Sequence, residues 1–268
     1  MSTHIAVRVS YPERGDYNWY QALASYAEVG CVEVAFYRPE LFLQRVTTEK
    51  VLAPFSRLPL RATAVHMAQA RITEFDTFME VLRKTVSIAQ GLGCSLIVVH
   101  PTSARLEEVE GKITAMVDPL LAQAGVTLCW ETFSGRRRFL SGIEGIAAFC
   151  RGNALSLPKG RQHHAVRQGS RHAACYDTAH LHKPQAEVLA DIVDYSDCIR
   201  CFHLSNRGAE GRAQHLPLRH PEGALDFEEI VAAIVESRLE GPLTLEYLPQ
   251  YHHHLLEDAL WVGQMLRR

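Results

Sequence analysis

The sequence predicts a single-domain α/β protein, a (βα)8 barrel of parallel strands joined by helices, and two observations carry that prediction. Eight short apolar runs recur at roughly even intervals along the 268 residues, with helical periodicity between them. Six of the eight runs end on a residue that can bind a metal or move a proton: His66, His100, Glu131, Asp177, His203 and Glu246. In such a barrel the C-terminal strand ends form one rim, so side chains from distant segments meet there.

The runs are Ile5 to Val9, Cys31 to Phe36, Leu60 to His66, Leu96 to His100, Val126 to Glu131, Ala173 to Asp177, Ile199 to His203 and Leu243 to Glu246. After the first run, Ser10 to Asp16 offers only Gly15, which excludes the glycine fingerprint of an open dinucleotide-binding sheet. After the third, Phe75, Phe78, Met79, Leu82, Val86 and Ala89 fall at three- and four-residue steps, and Gly91 and Gly93 end that helix. Thr73, with Asp76 three residues on, is its expected cap. Leu106 to Ala124 runs as a helix to Gly125, and Phe227, Ile230, Val231 and Ile234 share one helical face. His252 to His254 precede the apolar Leu255, Leu256, Leu260 and Trp261 and open a final helix.

One segment breaks the rhythm within an expected domain of residues 1–268. Arg151 to His172 holds Arg151, Lys159, Arg161, Arg167 and Arg171, no acidic residue, and several Gly, Ser and Pro. It reads as a basic loop insertion, either solvated or a lid that grips a phosphate.

Composition excludes several classes. A net charge of −2 gives no global field toward nucleic acid or anionic membrane. No apolar stretch approaches the roughly 18 to 20 residues of a bilayer span, and Met1 to Val9 lacks the pattern of a secretion signal. A cytoplasmic location is the expectation. Cys94, Cys129, Cys175, Cys198 and Cys201 sit in or beside apolar runs and read as buried reduced thiols. Cys198 and Cys201 have CxxC spacing, but positions three apart on a strand face opposite sides, which argues against a zinc or redox pair.

Glu131, Asp177, His203 and Glu246 close the fifth to eighth runs. Three carboxylates and an imidazole make an oxygen-rich site suited to one divalent ion, Mn²⁺, Mg²⁺, Co²⁺ or Zn²⁺, with coordination to spare for a substrate's oxygens. Arg136, Arg137 and Arg138 follow Glu131, and Arg207, Arg212 and Arg219 follow the seventh run. Either set could clamp a substrate phosphate or carboxylate through paired hydrogen bonds, and the Arg136 to Arg138 triplet reads equally as a solvated loop or a partner-facing ion cluster.

The stretches Val99-His100-Pro101, Trp130-Glu131-Thr132, Tyr176-Asp177-Thr178-Ala179-His180, Phe202-His203-Leu204-Ser205 and Leu245-Glu246-Tyr247 resemble, in order and spacing, the xylose isomerase-like barrel superfamily. That group includes sugar isomerases, ketose 3-epimerases, inosose and dehydroshikimate dehydratases and endonuclease IV. The resemblance implies a metal-dependent isomerase or epimerase of a small sugar, keto sugar or polyol derivative, with a dehydratase or an abasic-site phosphodiesterase as alternatives. It implies one metal held by Glu131, Asp177, His203 and Glu246, with Glu131 and Glu246 as base and acid exchanging a proton through a metal-stabilised enediolate. His180 would orient a substrate hydroxyl, while His66, His100, His215 and Arg212 line the substrate pocket. In the endonuclease branch, residues matching His66 and His100 bind a second metal with Glu131, and those matching His180 and His215 bind a third beside an aspartate. Ala213 stands where that aspartate belongs, which leaves a third ion without a charge-balancing oxygen. A small carbohydrate-like partner is expected, with no nucleic acid or membrane; pairing into a homo-oligomer is left open.

Overall fold

The computed structural model describes residues 3–15, 17–101, 106–134, 140, 142–152, 171–209 and 214–267. The eight apolar runs are strands: β1 His4–Ser10, β2 Cys31–Ala35, β3 Arg61–His66, β4 Leu96–Val99, β5 Thr127–Glu131, β6 His172–Asp177, β7 Ile199–Leu204 and β8 Pro242–Leu245. They pair in chain order, β8 closes on β1, and every pairing is parallel. This is the single-domain (βα)8 barrel that the spacing of the runs predicts.

Strand alternation divides the core in two. Outward residues such as Val34, Val65, Ile97, Trp130, Phe202 and Leu245 pack with the helices in one large cluster. The inner face holds a smaller cluster of Ala64, Leu96, Val98, Cys129, Ala173, Cys175 and Cys201. Parallel strands covered on both faces must be apolar nearly throughout, which is why the runs are legible as continuous apolar segments. All seven cysteines are buried and unpaired. Cys198 packs in the outer cluster and Cys201 in the inner one, so the CxxC pair faces opposite sides as expected.

The helix after β3 spans Phe75–Leu92, and Gly93 ends it in the left-handed conformation at φ 68°. Its cap differs from expectation. The turn closed by Glu74 N–H donating to Arg71 C=O makes Glu74, not Thr73, the N-cap, and its side chain makes no capping bond. The segment before Gly125 is also not one regular helix. Leu106–Lys112 passes through a π-helical turn, Ile113–Val117, before Asp118–Ala124 resumes. Pro119, without an N–H, cannot continue the preceding ladder, and the wider turn accommodates it.

Both ends of the expected insertion, residues 151–172, lie among the described residues. Arg151 caps the helix Ile143–Cys150 and pairs with Asp197, Nη2 to Oδ1 2.6 Å. His172 opens β6, where it accepts from Trp130 Nε1 at 3.2 Å and meets Asp118 Oδ1 at 2.6 Å. The alternative readings of this segment, a solvated loop or a lid that grips a phosphate, fall on residues outside the described ones. Residues 153–170, with Lys159, Arg161 and Arg167, lie outside the described residues. The turn Pro249–His254 leads into the final helix Leu255–Met265, as the sequence indicates.

Candidate metal centre

Side chains alternate at period two along a strand, so the residue two past an inner-layer position points inward one step closer to the C-terminal rim. On β3 to β8 this step leads from Ala64 to His66, Val98 to His100, Cys129 to Glu131, Cys175 to Asp177, Cys201 to His203 and Thr244 to Glu246. His100 and Glu246 lie one residue beyond their strands. A register shift between Ala174 and Cys175 precedes Asp177, and such bulges re-aim the side chains that follow.

Glu131, Asp177, His203 and Glu246 converge, with one ligand atom from each within 4.8 Å of the others. His203 Nδ1 lies 3.0 Å from Glu131 Oε1, 3.1 Å from Glu246 Oε2 and 3.8 Å from Asp177 Oδ2. Asp177 Oδ1 is fixed by the backbone N–H groups of Ala179 and His180, both at 2.8 Å, which leaves Oδ2 turned to the cluster. His66 Nε2 and His100 Nε2 approach Glu131 Oε2 at 3.2 Å and 2.8 Å. His180 Nδ1 lies 3.4 Å from both Glu131 Oε1 and Asp177 Oδ2, and its Nε2 is 3.0 Å from His215 Nε2. His215 sits at φ 56°, a conformation costly for a residue with a Cβ, and Leu248 N–H donates to its carbonyl.

His66, His100 and Glu131 form a second group of converging donors, and Asp177, His180 and His215 a third. The third group therefore contains a carboxylate, contrary to the expectation of two imidazoles without an oxygen. Asp177 reaches it from β6, a contact that spacing around Ala213 does not reveal. Arg212 and Ala213, like Arg136 to Arg138, lie outside the described residues. Of the other rim cations, Arg207 donates to Lys183 C=O, and Arg219 pairs with Asp258 at 3.0 Å and Glu257 at 2.6 Å. Arg219 is thereby occupied at the rim, whereas Arg207 keeps a buried Nε without a hydrogen-bond partner.

Burial and neighbours set the charges. Burial opposes ionisation of Glu131, but His100 and His203 overcome it and hold the carboxyl well below its ordinary range. Glu246, likewise disfavoured by burial, is held well below its range by Arg8 and then His203. Burial pushes Asp177 up against His180 and His215. For His66, burial and then Arg8 lower the imidazole to about 4, so it is neutral and able to ligate. His180 is opposed by burial yet raised to about 9 by Asp177 and Glu131, which makes it a charged donor at neutral pH.

Two members of the site were missed from the sequence. Glu33, fully buried in the middle of β2, lies 3.1 Å from His203 Nε2 through Oε2. Arg8, inside β1, contacts Glu246 and lies 3.7 Å from Glu33 Oε1. The available signal was a charge between two valines, Val7-Arg8-Val9 and Val32-Glu33-Val34. On a strand with an apolar outer face, that charge must point into the barrel.

The donor set fits a divalent cation. Asp177 Oδ2 is buried without a hydrogen-bond partner. Such an orphaned oxygen is costly unless satisfied, and an ion among the three carboxylates would satisfy it.

Fold and site together define a (βα)8 barrel with carboxylates and imidazoles gathered at the C-terminal mouth. The xylose isomerase-like TIM barrel family matches residues 45–263, and the chain belongs to it. No curated protein matches the sequence. Among solved structures, the D-allulose 3-epimerase of Methylomonas sp. in complex with D-allulose is 17% identical, with TM-score 0.66 over 99% of this chain and 96% of that one. The 3-keto-D-glucoside 4-epimerase of E. coli is 10% identical, with TM-score 0.69 over 98% and 99%. The IolI protein with a bound zinc atom is 13% identical, with TM-score 0.61 over 99% and 96%. These likenesses establish the common fold.

Proposed function

We propose that the protein is a divalent-metal-dependent isomerase or epimerase of a small sugar, keto sugar or polyol derivative, and that it moves a proton on the carbon next to a carbonyl. The observation that carries this reading is the convergence of Glu131, Asp177, His203 and Glu246 within 4.8 Å at the barrel mouth. Epimerases with the same fold that act on D-allulose and on a 3-keto-glucoside support it, as does the zinc in IolI.

When bound, a divalent cation would polarise the substrate carbonyl and stabilise the negative charge that develops on its oxygen. The protein's own residues would do the rest. Glu131 and Glu246, held ionised by their neighbours, would be the two carboxylates that exchange protons with the substrate carbon. One would take the C–H proton to leave an enediolate and could return that same proton to the neighbouring carbon. Delivery to the opposite face would need the other carboxylate first to take up a proton from solvent or a substrate hydroxyl. His180, charged and between the Asp177 and Glu131 carboxylates, would donate to a substrate oxygen and fix the ring or chain. His66 and His100 would position Glu131 from behind and line the pocket.

The test is solvent-deuterium incorporation into a panel of keto sugars, cyclic polyols and dehydroshikimate, with and without chelator. Metal-dependent exchange into a keto sugar or polyol, abolished by Glu246→Gln, is the expected result. Exchange unaffected by that substitution would refute the assigned role. Loss of water from dehydroshikimate or an inosose would instead place the same proton abstraction in a dehydratase.

A second reading is favoured by one observation: Glu131 and Asp177 each belong to two donor groups, as bridging ligands of a multi-metal phosphodiesterase would. Two or three zinc ions per chain on elemental analysis, with metal-dependent nicking of abasic duplex DNA, would replace the first reading with this one.

A further inference from the structure

The two ring nitrogens of His203 face different surroundings. Nδ1 looks into the carboxylate cluster, while Nε2 lies 3.1 Å from Glu33 Oε2 on the far side. Thr244 donates its hydroxyl to the same oxygen at 3.3 Å. Arg8 lies 3.7 Å from the other carboxylate oxygen and also touches Glu246. Strands β1, β2 and β8 thus cooperate behind one imidazole of β7. A register shift between Val32 and Glu33 marks the place where β2 turns this side chain inward.

Burying a carboxylate is expensive, and an apolar residue of similar volume would often stabilise the fold as well or better. A carboxylate at this position does something an apolar residue cannot. By accepting the Nε2 hydrogen it fixes the tautomer, leaves the Nδ1 lone pair aimed at the cluster, and makes that lone pair a stronger ligand. We propose that Glu33 is a positioning residue that orients His203 as an Nδ1 ligand of the divalent ion, and that Arg8 is the cation balancing Glu33 and Glu246 beside it. The inference rests on the metal-binding reading above and adds to it a carboxylate, a cation and a defined imidazole tautomer.

The experiment titrates Co²⁺ into metal-free protein, followed by calorimetry and by the visible absorption of the bound ion. It compares the native chain with Glu33→Gln, Glu33→Leu and the double variant Arg8→Met/Glu33→Leu. Glu33→Leu should weaken Co²⁺ binding by about 10- to 100-fold and alter the visible bands. Glu33→Gln, whose amide oxygen still accepts from Nε2, should fall between it and the native chain. If Glu33→Leu does not fold because Arg8 is left short of a partner, the double variant, which removes both charges, should fold and bind as weakly. If neither folds, the isosteric Glu33→Gln decides. Any folded Glu33 variant that binds Co²⁺ within threefold of the native chain, with unchanged bands, overturns the proposal while leaving the proposed function intact. A native chain that binds no Co²⁺ overturns both.

Discussion

Two layers of side chains inside the barrel, two residues apart on the same strands, obey opposite rules. The lower layer is Ala64, Val98, Cys129, Cys175 and Cys201, neutral and packed like any core. The upper layer is His66, His100, Glu131, Asp177 and His203, with Glu33 and Arg8 beside it and all but His100 buried. Depth alone does not distinguish them, since Glu131, Asp177 and His203 have no more solvent exposure than the thiols beneath. The difference is partnership. Each upper-layer charge faces an opposite charge or an imidazole within about hydrogen-bonding reach, whereas the lower layer has no counter-charge to offer. Burial also pushes the Cys175 thiol up beyond the usual range, so it remains neutral and inert. One short step along the strand thus separates structural filling from chemistry.

The largest effect should come from removing a charge the upper layer needs. Glu131→Gln deletes a carboxylate shared by two donor groups and should slow solvent exchange into substrate by about 10²- to 10⁴-fold; a rate near native would break the distinction between layers. Next in size is the converse change, a charge placed where no partner waits. Cys175→Asp puts a carboxylate into the lower layer and should cost about 3 to 5 kcal/mol in chemical denaturation. A stable Cys175→Asp protein would show that the lower layer can supply compensation that its residues do not display.

A smaller effect concerns pH. In metal-free protein His180 titrates near 9, above the ordinary histidine value, because Asp177 and Glu131 outweigh the opposing effect of burial. Its contribution to stability is therefore fully present below about pH 6.5 and lost as pH rises through 9. The difference in melting temperature between the native chain and His180→Gln should shrink across that window, and a difference independent of pH would contradict the assigned charge. The smallest effect is Cys201→Ala, which removes only packing and should cost about 1 kcal/mol while leaving Co²⁺ affinity unchanged.

The lower layer and the strand ends were legible in the sequence because both follow from simple patterns: an apolar run every few tens of residues, and a ligand at its close. The helix ends at Gly93 and Gly125 were legible for the same reason, a left-handed residue where the periodicity stops. What spacing did not disclose depends on contacts between strands. Glu33 and Arg8 sit in mid-strand, where a charge is easily passed over as an interruption of an apolar run. The reach of Asp177 toward His180 and His215 required the curvature of the turn after β6, and the π-helical turn before Pro119 required the competition between proline and the helix ladder. The placement of His172 in β6 was hidden by the basic residues before it, which suggested one foreign segment continuing to that point.

The claim on which the account depends is that side chains from β5, β6, β7 and the end of β8 close around one cation. Anomalous diffraction from crystals grown in millimolar Mn²⁺ measures this directly. The account predicts a manganese peak bounded by Glu131, Asp177, His203 Nδ1 and Glu246. Crystals equally rich in Mn²⁺, Mg²⁺ or Zn²⁺ that show these four side chains turned apart with no ion among them would contradict it.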